Sequence, residues 1–380
     1  MNRTRILIAI FLVIASGAFA QRSNVIAVLQ LIETNKYEEA KESIEAAVKN
    51  KKTRDWPRTW YTRGVLCQTA YEEGIKKKEK KLYELYPEQL FTAHISYEKA
   101  LKLDKHGRLD RQVAPHYVNL ANDFIKMGQE QYGKEEYAKA LKAFEHALDI
   151  SKSPVLNVQT DTNLIYNTAL AAYHLKKWED ASAYLQTLNE MQHSPNVAQL
   201  LFSLYLHNED TTAAEEVLLE GIDRYDYDEN MVLVLTEHLY NSNQAERAIE
   251  VLDSATVNDT ANYRFPFTKG LILQKSGRYR AAITAYKMAT KIQPDEVEAY
   301  VNIGNCYYNI GVEIKDNARQ IVNNRIYLQE RQKANRAFES AATWLEKARE
   351  KDPDNRKLTA QLNELYNMIR LDDQITPDNP

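Results

Sequence analysis

The chain has 380 residues with 49 basic and 53 acidic side chains, 11 glycines, 10 prolines and two cysteines. A net charge of −4 argues against nucleic acid as a partner, because phosphate backbones are held by basic faces. So few helix breakers, among abundant Ala, Glu, Lys, Leu and Tyr, point to helix nearly throughout, and Cys67 and Cys306 are too few for a disulfide scaffold.

Residues 1–20 read as an export signal. Arg3 and Arg5 give a basic start, Ile6 to Ala15 an apolar run, and Ala18-Phe19-Ala20 the small-x-small pattern that precedes cleavage, leaving Gln21 as the new N-terminus. The run is shorter than the ~20 apolar residues a spanning helix needs. Its removal takes two arginines and no acid, leaving 47 basic against 53 acidic side chains. No cysteine follows the cut to carry a lipid, and no later segment is apolar enough to span a bilayer. The expectation is an exported protein, periplasmic or associated with the cell envelope, with only indirect membrane contact.

From residue 21 to 371 one internal period organises the chain, and a fixed period means stacked units sharing a continuous core rather than separate globules. Alanine recurs as Ala40, Ala93, Ala140, Ala181, Ala214, Ala248, Ala282 and Ala341, with spacings of 33, 34 and 34 from Ala181 to Ala282. Four residues after each stands a larger apolar residue: Ile44, Tyr97, Phe144, Leu185, Leu218, Leu252, Tyr286 and Leu345. Seven after each stands Ala47, Ala100, Ala147, Leu188, Gly221, Ala255, Ala289 or Ala348. A small residue lets two helices approach closely, and the larger one fills the gap beside it.

Three stretches exceed the period. The second unit is about 17 residues too long between Tyr71 and Leu90, the third about seven too long around Gly128 to Gly133, and the eighth about 25 too long between Gly311 and Ala341. Helix formers persist there, and Ile314, Ile321, Tyr327 and Leu328 keep apolar positions going, so extended helices are expected near 72–92 and 312–340, with turns at Pro87 and Asn323-Asn324. An amphipathic helix from Arg356 to Leu371 caps the last unit, and 372–380 is expected to be a disordered tail.

The clearest unit, Tyr263 to Asp295, has Gly270, Gly277, Tyr279, Ala282, Tyr286, Ala289 and Pro294 at repeat positions 8, 15, 17, 20, 24, 27 and 32, counting Tyr263 as 1. In this it resembles the tetratricopeptide repeat (TPR). The last 100 residues, with Tyr308-Asn309-Ile310-Gly311-Val312-Glu313 and Trp344-Leu345-Glu346-Lys347-Ala348, resemble secreted TPR proteins of Bacteroidetes-type Gram-negative envelopes. The resemblance implies an all-α, right-handed superhelix, an α-solenoid of about eight helix pairs plus the capping helix, whose first helices line a concave groove with positions 2, 5, 6, 9, 12 and 13.

In that register the groove carries Tyr61, Tyr166, Tyr173, Tyr240, Phe267 and Tyr308, with the amides Asn119, Asn122, Asn167, Asn302 and Asn305. Amphipathic rings beside amides suit an extended peptide, whose backbone needs hydrogen bonds and whose side chains need apolar slots. The same residues also serve as caps and fillers between helices. The carboxylate clamp of chaperone-binding TPR proteins needs Lys at position 5, where this chain has Tyr61, Val118, Tyr166, Gln199, Leu233, Phe267 and Val301.

Catalytic patterns are absent. The eight histidines include no pair at the i, i+4 spacing of helical zinc sites, and no phosphate loop or nucleophile elbow occurs. Ser96-Tyr97-Glu98-Lys99 has the Ser-x-x-Lys spacing without its companion motifs, and Asp226, Asp228, Asn230 and Glu237 mimic a calcium loop with Met231 where glycine is required. The run Lys76-Lys77-Lys78-Glu79-Lys80-Lys81 reads as a solvated helix side, or else as a contact for an anionic partner. The expectation is a non-catalytic scaffold or adaptor without metal or cofactor, holding a protein or peptide in its groove. The alternative is a structural subunit of an outer-membrane or secretion assembly docked through the extended helices, and apolar end faces leave self-association open.

Overall fold

The computed structural model describes residues 22–373 apart from Val158 and Thr160, with side chains described as far as Arg370. Residues 1–21, which include the expected export signal, and residues 374–380 lie outside the described residues. Asp372 and Asp373, expected in the tail, instead end the last helix.

The chain divides into two compact units between His193 and Ser194. The first holds α1 (residues 22–33), α2 (Tyr37–Lys49), α3 (Pro57–Lys77), α4 (Lys80–Tyr83), α5 (Gln89–Leu103), α6 (Asp110–Gly133), α7 (Tyr137–Ser151), α8 (Thr162–His174) and α9 (Trp178–Glu190). The second holds α10 (Pro195–His207), α11 (Thr211–Arg224), α12 (Glu229–Asn241), α13 (Ala245–Asn258), α14 (Arg264–Lys275), α15 (Tyr279–Ile292), α16 (Val297–Ala318), α17 (Asn324–Lys351) and α18 (Arg356–Asp373). Among the described residues these form eight helix pairs followed by α18, with no strand, so the all-α reading holds. Within each unit pairs stack in sequence order, as in α2 on α3, α7 on α8, α13 on α14 and α17 on α18.

The recurring alanines make the close contacts. Ala40, Ala93, Ala140, Ala181, Ala214, Ala248, Ala282 and Ala341 are all fully buried, as are the larger residues four positions later. Where that larger residue is aromatic, the facing helix carries glycine: a Cβ on Gly64 would lie 2.6 Å from the Tyr97 ring, on Gly128 2.4 Å from Phe144, and on Gly270 2.5 Å from Tyr286. No side chain fits at such distances. In four of the five pairs where it is aliphatic the facing residue at position 8 is larger, namely Val28, Ala169, Phe202 and Thr236 opposite Ile44, Leu185, Leu218 and Leu252, whereas in the eighth pair Leu345 faces Gly304.

The turn between the two helices of a pair is also repeated. Asn35, Glu135, Lys176, Glu209, Asn243 and Gly277 each sit at the same turn position with φ between 59° and 73°. Only one of these six is glycine, so the others adopt a left-handed conformation that costs an L-residue roughly 1–2 kcal/mol. Packing on either side of the turn holds them there.

The three overlong stretches differ in kind. In the eighth pair, α16 (22 residues) and α17 (28 residues) continue past the repeat and pack on each other along their length. Gly304 faces Leu345, and seven residues on, Gly311 faces Phe338, so the same small-against-large contact is repeated two helical turns further out. Asn323 closes the hairpin by accepting bonds from the backbone N–H groups of Arg325 and Ile326.

The stretch near 72–92 is not one extended helix. α3 runs to Lys77, left-handed residues at Lys78 (φ 58°) and Glu88 (φ 47°) break the helix, and the chain folds back through α4. Gln89 Nε2 pins the fold-back by donating to the carbonyls of Cys67 and Leu82, both at 2.9 Å.

In the third pair the extra residues lie at the start of α6 rather than around Gly128 to Gly133. Gly128 occupies the place under Phe144 that Gly270 occupies under Tyr286, which fixes it at position 8. The residues at positions 6 and 9 are therefore Lys126 and Gln129.

Candidate functional site

In the first unit the extra turns of α6 lie across the face of α3 that was expected to be open. Arg58 Nη1 donates to Gln112 (2.6 Å), Gln68 Nε2 donates to the His116 carbonyl (3.1 Å), and Tyr61 Oη lies 3.3 Å from His116 Nε2. Tyr61 is only 8% exposed, with its ring against Tyr97 and His116, so it is a covered packing residue and not a groove residue. Asn119 and Asn122 remain exposed on α6, but two turns away from the repeat positions assigned to them. Tyr166, Asn167 and Tyr173 on α8 are half-buried. The Tyr166 ring stacks on His193 at 5.2 Å, and Tyr173 meets the edge of Trp178 at 5.3 Å.

Two polar clusters of this unit escaped the sequence reading. On α3 and α6, Gln68 donates to Glu72 and accepts from Tyr97 Oη, while Asp123 has a buried Oδ2 without a hydrogen-bond partner. Burial, and then the charge of Glu72, pushes the Asp123 carboxyl up to about 6. Between α5 and α7, His94 Nδ1 lies 2.7 Å from His146 Nδ1 in a shell of Phe91, Phe124 and Tyr117. Burial, followed by the neighbouring His146, holds the His94 imidazole down at about 4. No one-dimensional signal joins residues 52 apart.

In the second unit Tyr240 and Phe267 are half-buried, the first beneath Lys275 Nζ at 5.4 Å and the second edge-on to Tyr286 at 5.6 Å. Asn302, Asn305 and Tyr308 follow one another along one face of α16. Gln361 Nε2 of α18 donates to Asn305 Oδ1 (2.6 Å), and Tyr308 is 39% exposed with its ring 5.7 Å from Phe338. Beside them a pocket of about 250 Å³ opens between α16 and α18, lined by Tyr308, Leu345, Gln361, Glu364, Leu365 and Met368. Among the expected groove residues, Tyr308 lines this concave site and Asn305 borders it through its bond to Gln361, with α18 as the opposite wall.

Residues 270–311, covering the second half of α14, all of α15 and the first part of α16, match the family model described as TPR repeat. This stretch of the chain therefore carries a TPR repeat. Among curated proteins it is 21% identical to the BBSome complex member BBS4 of Bos taurus over 64% of this chain and 44% of that one, so it spans less than half of that relative's length. Among solved structures it is similar to a TPR repeats protein from Bacteroides fragilis (18% identity, 65% of this chain and 98% of that one, TM-score 0.37). It is also similar to the C-terminal part of a TPR repeat-containing protein from Cytophaga hutchinsonii (13% identity, 62% and 98%, TM-score 0.40).

The TPR fold is that of a protein–protein interaction scaffold. The chemical mimics in this chain have structural roles. Ser96 Oγ donates to the Thr92 carbonyl and accepts from Arg63, and Asp228 caps α12 by accepting from the Met231 N–H, so the acidic pseudo-loop is a helix start. Among the described residues no group of three metal-ligating side chains converges, and no helix is long and apolar enough to cross a membrane. Cys67 and Cys306 are buried thiols, each pushed up to about 12 by burial and therefore poor nucleophiles.

Proposed function

We propose that this TPR protein is an exported, non-catalytic adaptor of the periplasm or cell envelope that holds a peptide or protein on the exposed faces of its first helices. The observation that carries this reading is the α16 face: the ring of Tyr308 lines a largely apolar pocket, and the amide of Asn305 borders it through its bond to Gln361, with Asn302 one turn before it on the helix. Amides at helical spacing bond a peptide backbone while the pocket takes a side chain, which is how an extended ligand is fixed in register. Export rests on the basic, apolar and small-x-small order of residues 1–20. A pull-down from envelope extract with the wild-type chain, and with Asn302, Asn305 and Tyr308 changed together to alanine, tests it. The reading expects one partner that the triple variant loses, and retention of that partner refutes this face.

A second reading, a structural subunit docked through its extended helices, is favoured by one feature. At the tip of the α16–α17 hairpin Val322 is 100% exposed and Ile326 46% exposed. Shortening that hairpin between residues 312 and 334 abolishes association under this reading and leaves it intact under the first.

A further inference from the structure

The pocket between α16 and α18 has a shape that another part of the same unit explains. Tyr286 occupies position 24 opposite Gly270, and its ring spans the helix pair so that its hydroxyl donates to Gln274 at position 12 (2.7 Å). Tyr97 does the same in the first unit, over Gly64 and on to Gln68 (2.9 Å). In the eighth pair the glycine is present as Gly304, but position 24 is Leu345, which reaches Gly304 and carries no ring to extend toward position 12. Position 12 here is Tyr308, and the space between Tyr308 and Leu345 is the pocket. Elsewhere a glycine opposite position 24 is matched by an aromatic ring from the chain, and here the ring is missing.

The walls state what else the guest carries. Leu345 (1% exposed) and Leu365 (4% exposed) form an apolar floor, with Met368 beside them. Glu364 is the one charged residue in the lining, and among the described residues no ion pair engages it. Gln361 donates to Asn305 Oδ1, which leaves Gln361 Oε1 as an acceptor and Asn305 Nδ2 as a donor for a peptide unit. Residues 371–380 contain Asp372, Asp373 and Asp378 and no aromatic ring, lysine or arginine, so they do not supply an aromatic side chain with a cation beside it.

We infer that this pocket binds an extended peptide of a partner protein through an aromatic side chain that replaces the missing ring, with a lysine or arginine next to it facing Glu364. The inference rests on the proposed reading of α16 as a partner-binding face and adds the guest's chemistry. A single large side chain fits the available volume, and a cation beside the exposed Glu364 carboxylate at the rim contributes mainly selection against acidic sequences.

Fluorescein-labelled nonapeptides of Gly, Ser and Asn with a central Phe-Lys, Phe-Glu or Ala-Lys, titrated with the full chain and read by anisotropy, test it. Wild type is expected to bind Phe-Lys at least tenfold more tightly than either control. Leu345→Phe rebuilds the glycine–aromatic pair of the other repeats, so its melting curve should match wild type while Phe-Lys binding is lost. Glu364→Lys should invert the order of Phe-Lys and Phe-Glu, a readout that unfolding cannot produce. If Phe-Lys binds with no dependence on Glu364 or Leu345, the inference falls and the α16 reading stands. If none of the peptides binds, and the Asn302, Asn305 and Tyr308 triple variant keeps its envelope partner, both fall together.

Discussion

Gly270→Ala is the most direct perturbation of the repeat packing. The added Cβ would stand 2.5 to 2.8 Å from three atoms of the Tyr286 ring, against an ordinary contact of 3.4 to 4 Å, so the ring must withdraw by about 1 Å. Tyr286 is fully buried, and its hydroxyl is tied to Gln274 at 2.7 Å, so withdrawal strains the rotamer and stretches that bond. Overpacking of this kind costs about 1–3 kcal/mol, and strain on the hydrogen bond adds up to about 1. The Gly-to-Ala gain in helix propensity offsets about 1 kcal/mol. The net expectation is a loss of up to about 3 kcal/mol. In Tyr286→Leu the ring is gone, a cavity remains, and Gly270→Ala added to that background should be neutral or stabilising, as in the repeats that pair Ala169 with Leu185. Urea unfolding of the four proteins of the cycle, followed by far-ultraviolet circular dichroism, gives the coupling energy. Equal effects of Gly270→Ala in both backgrounds would refute the steric pairing.

The turn geometry predicts that Glu209→Gly stabilises by about 0.5–1 kcal/mol, since φ is 61° there, and that Gly277→Ala destabilises by about 1 kcal/mol; thermal melts check both signs. His94, held at about 4 against 6.5 when unfolded, contributes stability that is intact above pH 6.5 and lost as pH falls toward 4. His94→Asn should therefore show a flatter decline in melting temperature across that window, and parallel curves would contradict the reading. Asp123, raised to about 6 from 3.8, has the opposite sign: its cost is full above pH 6 and vanishes below 3.8. Asp123→Asn should raise the melting temperature at pH 8 and leave it unchanged at pH 3.5.

The period was legible because it is imposed by contact: an alanine is the largest residue that two helix backbones tolerate at their closest approach, and so the eight buried alanines show in one dimension. The register of the third pair was not, because Gly128 declares itself as position 8 only once Phe144 is seen over it. Burial of Tyr61 was equally hidden, since the covering residues Gln112 and His116 lie more than 50 positions away on α6. The left-handed turns at Glu135, Lys176 and Glu209 carry no glycine to mark them. Of the expected groove residues, Asn305 and Tyr308 took on a definite geometry only because α18 sits opposite them, and the orientation of a capping helix is a tertiary property.

The central claim is that the α16 face receives a partner. A photoreactive phenylalanine analogue at position 308, compared in living cells with the same analogue at positions 61 and 322, tests it most directly. The account predicts that position 308 crosslinks one partner, that an excess of the Phe-Lys peptide suppresses the crosslink, and that position 61, covered by α6, crosslinks nothing. Crosslinking from position 322 alone would contradict it and place the interface on the hairpin tip.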